Sequence, residues 1–314
     1  MPSLSRRKNK RSTAPVGLDI DGRFLAAVQV DGHSVGRLAS HELPPGVTED
    51  GEVRDDAALT EALKDMFKTH NLPKKVYLGI SNSQIVVRHL EMPLIEDDKE
   101  RDAAVRFQAS EAIAMPLDEA VLDYQPIGAT EAADGTVRQR IMVVAARESM
   151  VARIVAAVKA AGLKTEGVDL DAFALVRMLA EPEDENSDAI PSARVLCHLG
   201  GTTNLAIAAG PICFFTRALS AVWETGGFVS ALAEEIRLCI DYHLAQPHAR
   251  PVNEIVLSGP GAHDESLVSE LGSRIGMPVS VAEPLGSLGT HAVLAGDDAF
   301  RYTIAAGLAM GAAA

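Results

Sequence analysis

The sequence predicts an α/β protein made of two similar halves, each built on a mixed β-sheet. Three observations carry this. The 314 residues are 47% hydrophobic and 23% charged, ordinary proportions for a globular chain of about two domains. Strand-like apolar runs alternate with apolar residues at helical spacing. The same order of elements, three strands, a helix and a strand, then a helix, a strand and a last helix, occurs on both sides of an acidic stretch at 181–188.

The first copy opens with a strand at Val16–Ile20, a polar turn at 21–23 and a strand over 24–30. Asp31-Gly32 is a hairpin signal, and a third strand follows over 35–42. A helix is expected over 56–70, where Leu59, Ala62, Leu63, Met66 and Phe67 share a face. A strand at Lys75–Ile80 comes next. Met150, Val151, Ile154, Val155 and Val158 give a helix over 148–161, followed by a strand over 165–169.

The second copy repeats this plan. A strand over 194–198 leads into the turn Gly200-Gly201-Thr202-Thr203, and a strand over 204–208 returns. Gly210-Pro211 closes the next hairpin before Ile212–Leu219. Val229, Leu232, Ala233, Ile236 and Ile240 mark a helix over 227–244. A strand over 254–258, a helix over 264–275 and a strand over 278–281 complete the copy. Residues 94–144 have no counterpart in it. Their charged helix over 97–114 and strands over 121–124 and 140–144 predict a small α/β insert in the first domain. The expected organisation is a basic, disordered tail at 1–14, a first domain at 15–180, an acidic linker at 181–192 and a second domain at 193–314. The second domain would have a reduced lobe at about 222–250.

The net charge of −14 repels phosphate backbones and argues against nucleic-acid partners. Aromatics at 4% argue against base-stacking platforms. Cys197, Cys213 and Cys239 form no C-x-x-C pair, which suits free, buried thiols in a reducing compartment. No apolar run approaches the ~18 residues of a membrane span, and the first residues do not read as a secretory signal, so the cytoplasm is the expected location. Five of the first eleven residues are basic. Two readings of them stand: a solvated end, or a weak anchor to anionic lipid at about 1 kcal/mol per residue. No P-loop or H-E-x-x-H motif is present, and Gly259, Gly261 and Asp264 make only a partial dinucleotide fingerprint.

The paired strand–turn–strand openings resemble the actin, hexokinase and Hsp70 superfamily, whose two turns cradle nucleotide phosphates. Glycine lets backbone N–H groups approach an anion closely. Asp19 and the Gly200, Gly201, Thr202 and Thr203 turn occupy the corresponding positions, with Asp21 and Gly22 completing the first turn. Gly259 and Gly261 lie in a segment that resembles the superfamily's adenosine loop.

A narrower resemblance rests on an ordered set of motifs. These are Val76-Tyr-Leu-Gly-Ile-Ser81, Val86-Val-Arg-His-Leu-Glu-Met-Pro93, and Ser110-Glu-Ala-Ile-Ala-Met-Pro-Leu-Asp-Glu-Ala-Val-Leu-Asp-Tyr-Gln125. Ala161-Gly-Leu163, Val168-Asp-Leu-Asp-Ala-Phe-Ala-Leu175 and Glu235-Ile-Arg-Leu-Cys-Ile-Asp-Tyr242 complete it. The set is similar to the PilM family of type IV pilus assembly proteins, relatives of the division protein FtsA. The resemblance implies duplicated actin-like (RNase H-like) domains on mixed five-stranded sheets, with residues 94–144 as the family's extra subdomain. It also implies a cytoplasmic protein, peripheral at the inner membrane. Such a protein binds the N-terminal tail of PilN in a groove between the insert and the first domain, and works alongside the pilus motor complex.

Four departures from the family's nucleotide pattern predict weak or absent binding of ATP and magnesium and no turnover. Asp21 stands where glycine is usual, and a carboxylate there repels phosphate unless it points away or holds Mg²⁺. His198 stands where aspartate is usual, although Mg²⁺ prefers oxygen ligands, and the second turn looks one residue shorter. Pro260 removes one donor from the adenosine loop. The lobe between Gly227 and Tyr242 is short. The expected role is therefore a non-enzymatic scaffold.

The alternative is an actin-fold ATPase or kinase using Asp19 or Asp21 as its carboxylate; a filament former is a further alternative. His198 reads as a core or cleft histidine with one hydrogen bond, or as a ligand or base. Arg106 and Phe107 line a peptide groove, or Phe107 is core. Asp123 and Tyr124 meet a partner, or Tyr124 is buried in the insert. Trp223 reads as packing.

Overall fold

A computed structural model describes residues 14–131, 135–180, 192–219, 226–247, 249–283, 285, 288–289 and 300–312. The tail at 1–13, the linker at 181–191 and Trp223 lie outside the described residues.

In the first domain, β1 (Val16–Ile20), β2 (Phe24–Asp31) and β3 (Ser34–Glu42) form an antiparallel meander. Two-residue strands β4 (Thr48–Glu49) and β5 (Glu52–Val53) pair before α1 (Asp56–Thr69). Asp55 caps α1 by accepting from the Ala58 N–H at 2.9 Å. β6 (Lys75–Ile80) then joins β1 in parallel. The chain leaves for β7 (Val86–Pro93), α2 (Asp98–Ala112), β8 (Ala120–Glu131) and β9 (Val137–Arg147). It returns through α3 (Glu148–Ala160), β10 (Lys164–Leu170) and α4 (Asp171–Leu179). The sheet order is β10-β6-β1-β2-β3.

The second domain runs β11 (Ala193–Leu199), β12 (Thr203–Ala209), β13 (Ile212–Leu219), α5 (Phe228–Leu244) and β14 (Val252–Ser258). A 3₁₀ turn (Pro260–His263), α6 (Glu265–Ile275), β15 (Val279–Val281) and α7 (Thr303–Gly311) follow. Its sheet order, β13-β12-β11-β14-β15, is the first sheet's order copied strand for strand. The two five-stranded mixed sheets are those the sequence predicts.

Alternation along the strands explains the layers. Leu18, Leu25, Ala27 and Leu78 face α1 and α3, where they meet Leu63, Met66, Ile154 and Val158. Phe24, Ala26 and Val28 face the other way, onto Tyr302, Ala305, Ala306 and Ala309 of and beside α7. Helix α7 thus ends the second copy but covers the first sheet. Helix α4 does the reverse: Ala172, Leu175 and Val176 pack on Leu196, Ala206 and Val256 of the second sheet. The two helices also touch each other through Ala174, Ile304 and Leu308. The domains are joined by this exchange. It requires glycine at Gly17, where a Cβ would overlap the Ala305 carbonyl oxygen and stand 2.5 Å from the Ala309 nitrogen.

The insert is larger than the sequence suggests. β7 pairs with β9 along its whole length, in a three-stranded sheet of order β7-β9-β8, so the insert's sheet begins at Val86 rather than at residue 94. β8 runs on to Glu131 through a bulge between Pro126 and Gly128, beyond the strand expected over 121–124. Ile141, Val143 and Ala145 face Val105 and Ala109 of α2. All three cysteines are buried and free. Among the described residues no helix is long and apolar enough to cross a membrane.

Candidate functional site

The cleft between the domains collects the turn residues. Asp19 is buried near the end of β1. The next turn is held by the Asp21 N–H, which donates to the Phe24 carbonyl at 3.1 Å. Gly22 has φ of +104°, a region that disfavours side chains. Across the cleft, β11 ends at Leu199 and β12 starts at Thr203, with Gly200, Gly201 and Thr202 between them.

The two turns touch. The Gly201 N–H donates to both carboxylate oxygens of Asp21, at 2.7 and 2.8 Å. A Cβ on Gly200 would overlap Asp21 Oδ2, and one on Gly201 would stand 2.6 Å from Oδ1. Asp21 therefore neither points away nor stands clear of the turn. The third element closes in as well. Gly259 has φ of +87°, and a Cβ there would stand 2.7 Å from the Leu199 carbonyl oxygen. Pro260 opens the 3₁₀ turn, where Gly261 is buried.

A third carboxyl joins the first two. Asp171, at the start of α4, is buried, and its Oδ1 lies where a Cβ on Gly79 would stand. Asp19 Oδ2 and Asp171 Oδ1 are buried with no hydrogen-bond partner. Burial, then the Asp171 and Asp21 charges, push Asp19 well above the usual carboxylate range. Burial, then the Asp21 and Asp169 charges, push Asp171 up to about 8. Burial pushes Asp21 up to about 7, while the Gly201 and Arg23 backbone N–H groups and the Arg23 and Arg301 charges pull it down. Sequence reasoning missed Asp171. Its signal was an acid inside an apolar run, Leu170-Asp-Ala-Phe-Ala-Leu175.

His198 is a fully buried cleft histidine. Its Nδ1 lies 3.0 Å from Ser258 Oγ, and its Nε2 has no partner. Burial depresses its pKa to about 4, so it is neutral at pH 7. Among the described residues no three His, Cys, Asp or Glu side chains are arranged to hold a metal. As placed, these groups do not fit Mg·ATP. The Gly201 donor is in use. The Asp19, Asp21 and Asp171 carboxyls lie close enough that, with burial, charge among them raises the pKa values of Asp19 and Asp171.

The second place is a groove of about 350 Å³ between the insert and the first domain. Val121 and Asp123 of β8 form one wall, Met142 and Val144 of β9 the floor, and Val168 of β10 the other wall. β8 and β10 are edge strands of their sheets. The opposite edge of the insert sheet, β7, abuts the second domain, where His89 Nε2 lies 3.0 Å from the Cys213 carbonyl oxygen. Val121 is 45% and Val168 37% exposed. Asp123 is exposed, whereas Asp169 is paired with Arg177. Phe107 is neither core nor groove. It is 67% exposed on α2, the helix covering the sheet's other face, and Arg106 beside it pairs with Asp102 at 3.7 Å.

Comparisons with known proteins bear on the family and the fold. A family model described as type IV pilus assembly protein PilM matches residues 17–195. Among solved structures, the chain is similar to one from a PilM–PilN type IV pilus biogenesis complex. The TM-score is 0.81 at 23% identity, covering 96% of this chain and 99% of that one. It is also similar to the cytoplasmic domain of EpsL, an inner-membrane component of the type II secretion system of Vibrio cholerae. There the TM-score is 0.51 at 11% identity, covering 95% and 93%. These likenesses identify the duplicated two-sheet architecture as the actin-like fold.

Proposed function

Because the chain belongs to the PilM family of type IV pilus assembly proteins, we propose that it is a cytoplasmic docking scaffold of a pilus assembly platform, peripheral to the inner membrane. It takes the N-terminal cytoplasmic tail of a PilN-like membrane protein into the groove between β8 and β10. One observation carries this reading: two strand edges face a common groove with exposed valines on both walls. An extended peptide is held at such a place by main-chain hydrogen bonds and by pockets for alternate side chains. Asp123 adds an exposed carboxylate, which suits a basic residue in the tail. The reading requires no chemistry of the cleft.

A fluorescence titration with the N-terminal tail peptide of the host's PilN-like protein tests this. Wild type is expected to bind. Val121→Asp is expected to weaken binding at least ~10-fold, about 1.4 kcal/mol, by placing a charge on the apolar wall. Phe107→Ala, on the far side of the insert, is expected to leave the affinity unchanged. Wild-type affinity in Val121→Asp, or a tail that does not bind wild type, would overturn the reading.

A further inference from the structure

We propose that Asp21 is an internal anion: its carboxylate occupies the place on the second domain's turn that a phosphate would take, and so latches the two domains together. The geometry is that of an anion site already filled. A backbone N–H on a glycine turn is the donor type that proteins aim at phosphates. Here the Gly201 N–H meets a carboxylate from the other domain at 2.7 and 2.8 Å. The glycines explain themselves in the same way. A side chain at Gly200 or Gly201 would collide with Asp21, so the missing Cβ atoms make room for a ligand, and that ligand belongs to the chain.

Other contacts hold the same closed arrangement. The Ser81 hydroxyl is bonded to Asn204 Oδ1, again from one domain to the other. Burial works against the charged form of Asp21, and the Gly201 and Arg23 backbone N–H groups with the nearby Arg23 and Arg301 charges offset part of that. A phosphate entering here would have to displace Asp21 while approaching the Asp19 and Asp171 carboxyls. An incoming nucleotide therefore competes with a tethered group at high effective concentration. This inference is independent of the tail-binding reading, and either can fail alone.

The test is isothermal titration calorimetry of the full chain with inorganic phosphate and with Mg·ATP, on wild type, Asp21→Gly and Asp21→Asn. Asp21→Gly empties the turn and is expected to bind at least one of the two ligands ~10-fold or more tighter than wild type. Asp21→Asn keeps an acceptor oxygen on Gly201 and is expected to gain less. Amide hydrogen exchange at Gly201, measured on the same proteins, is expected to be slow in wild type and faster in Asp21→Gly. Two results would overturn the latch. One is Mg·ATP binding by wild type at an affinity that Asp21→Gly does not improve. The other is Gly201 exchange that is the same in wild type and Asp21→Gly.

Discussion

Replacing Gly17 by valine is expected to destabilise the protein by on the order of 3 kcal/mol or more. The cause is local and backbone-bound. Gly17 sits on β1 opposite Val28 and Tyr77, with its bare Cα against α7. The first carbon of any side chain there would overlap the Ala305 carbonyl oxygen and press on the Ala309 nitrogen. Neither is the end of a flexible side chain that can swing aside, so α7 must lift off the sheet. That would open the packing of Phe24, Ala26 and Val28 on Ala305, Ala306 and Ala309. It would also disturb α4, which α7 touches through Ala174. A urea unfolding series measures the effect. Gly36→Ala, whose Cβ would meet its nearest neighbour at an ordinary 3.5 Å, is the control and is expected to stay within about 0.5 kcal/mol of wild type.

The buried carboxyls predict the second large effect, a fall in stability as pH rises from 6.5 to 8. Asp171, Asp21 and Asp19 all have folded pKa values above their unfolded ones. Their stabilising contribution is full below about pH 4 and is lost as pH rises through the folded values, about 7 for Asp21 and about 8 for Asp171. Each acid still protonated in the fold lowers stability by ~1.4 kcal/mol per pH unit. The histidines work the other way. His198 is depressed to about 4, and His89 and His243 are also lowered. Their contribution is present above about pH 6.5 and lost as pH falls through the folded values. Their opposing contribution to the slope fades across the window from 6.5 to 8 as the unfolded histidines lose their protons. It is common to wild type and an Asp171 variant, so the difference between the two reports the acid. Asp171→Asn is expected to flatten the pH dependence of the urea midpoint in that window by about one group's share. Identical slopes in wild type and variant would exclude a buried, protonated Asp171.

What could be read from the sequence follows physical range. The meanders, α1, α3, α5 and β6 declare themselves through patterns a few residues long, and the structure places them within a residue or two. The exchange of α4 and α7 between domains has no local signal. An Ala-rich helix packs equally well on either sheet, and only the tertiary fold chooses. Strand β7 reads as one of the motifs of the resemblance, but its partner β9 lies more than 40 residues away, so the start of the insert's sheet has no local signal. At the site, the glycine turns were legible because glycine is rare punctuation with few uses. The destination of Asp21 was not legible: a carboxylate in a phosphate turn has three possible orientations in sequence, and only the facing Gly201 decides among them. Asp171 escaped notice because its meaning comes from Asp19 and Asp21, about 150 residues earlier in the chain.

A tail-binding groove beside a cleft held shut by the protein's own carboxylate should not sense nucleotide. The most direct measurement is the affinity of the PilN-like tail peptide for the wild-type chain, titrated with and without Mg·ATP. The same affinity in both is expected, because the groove lies between β8 and β10 and the latch does not yield to nucleotide. A shift of ~10-fold or more on adding Mg·ATP, about 1.4 kcal/mol of coupling, would contradict it.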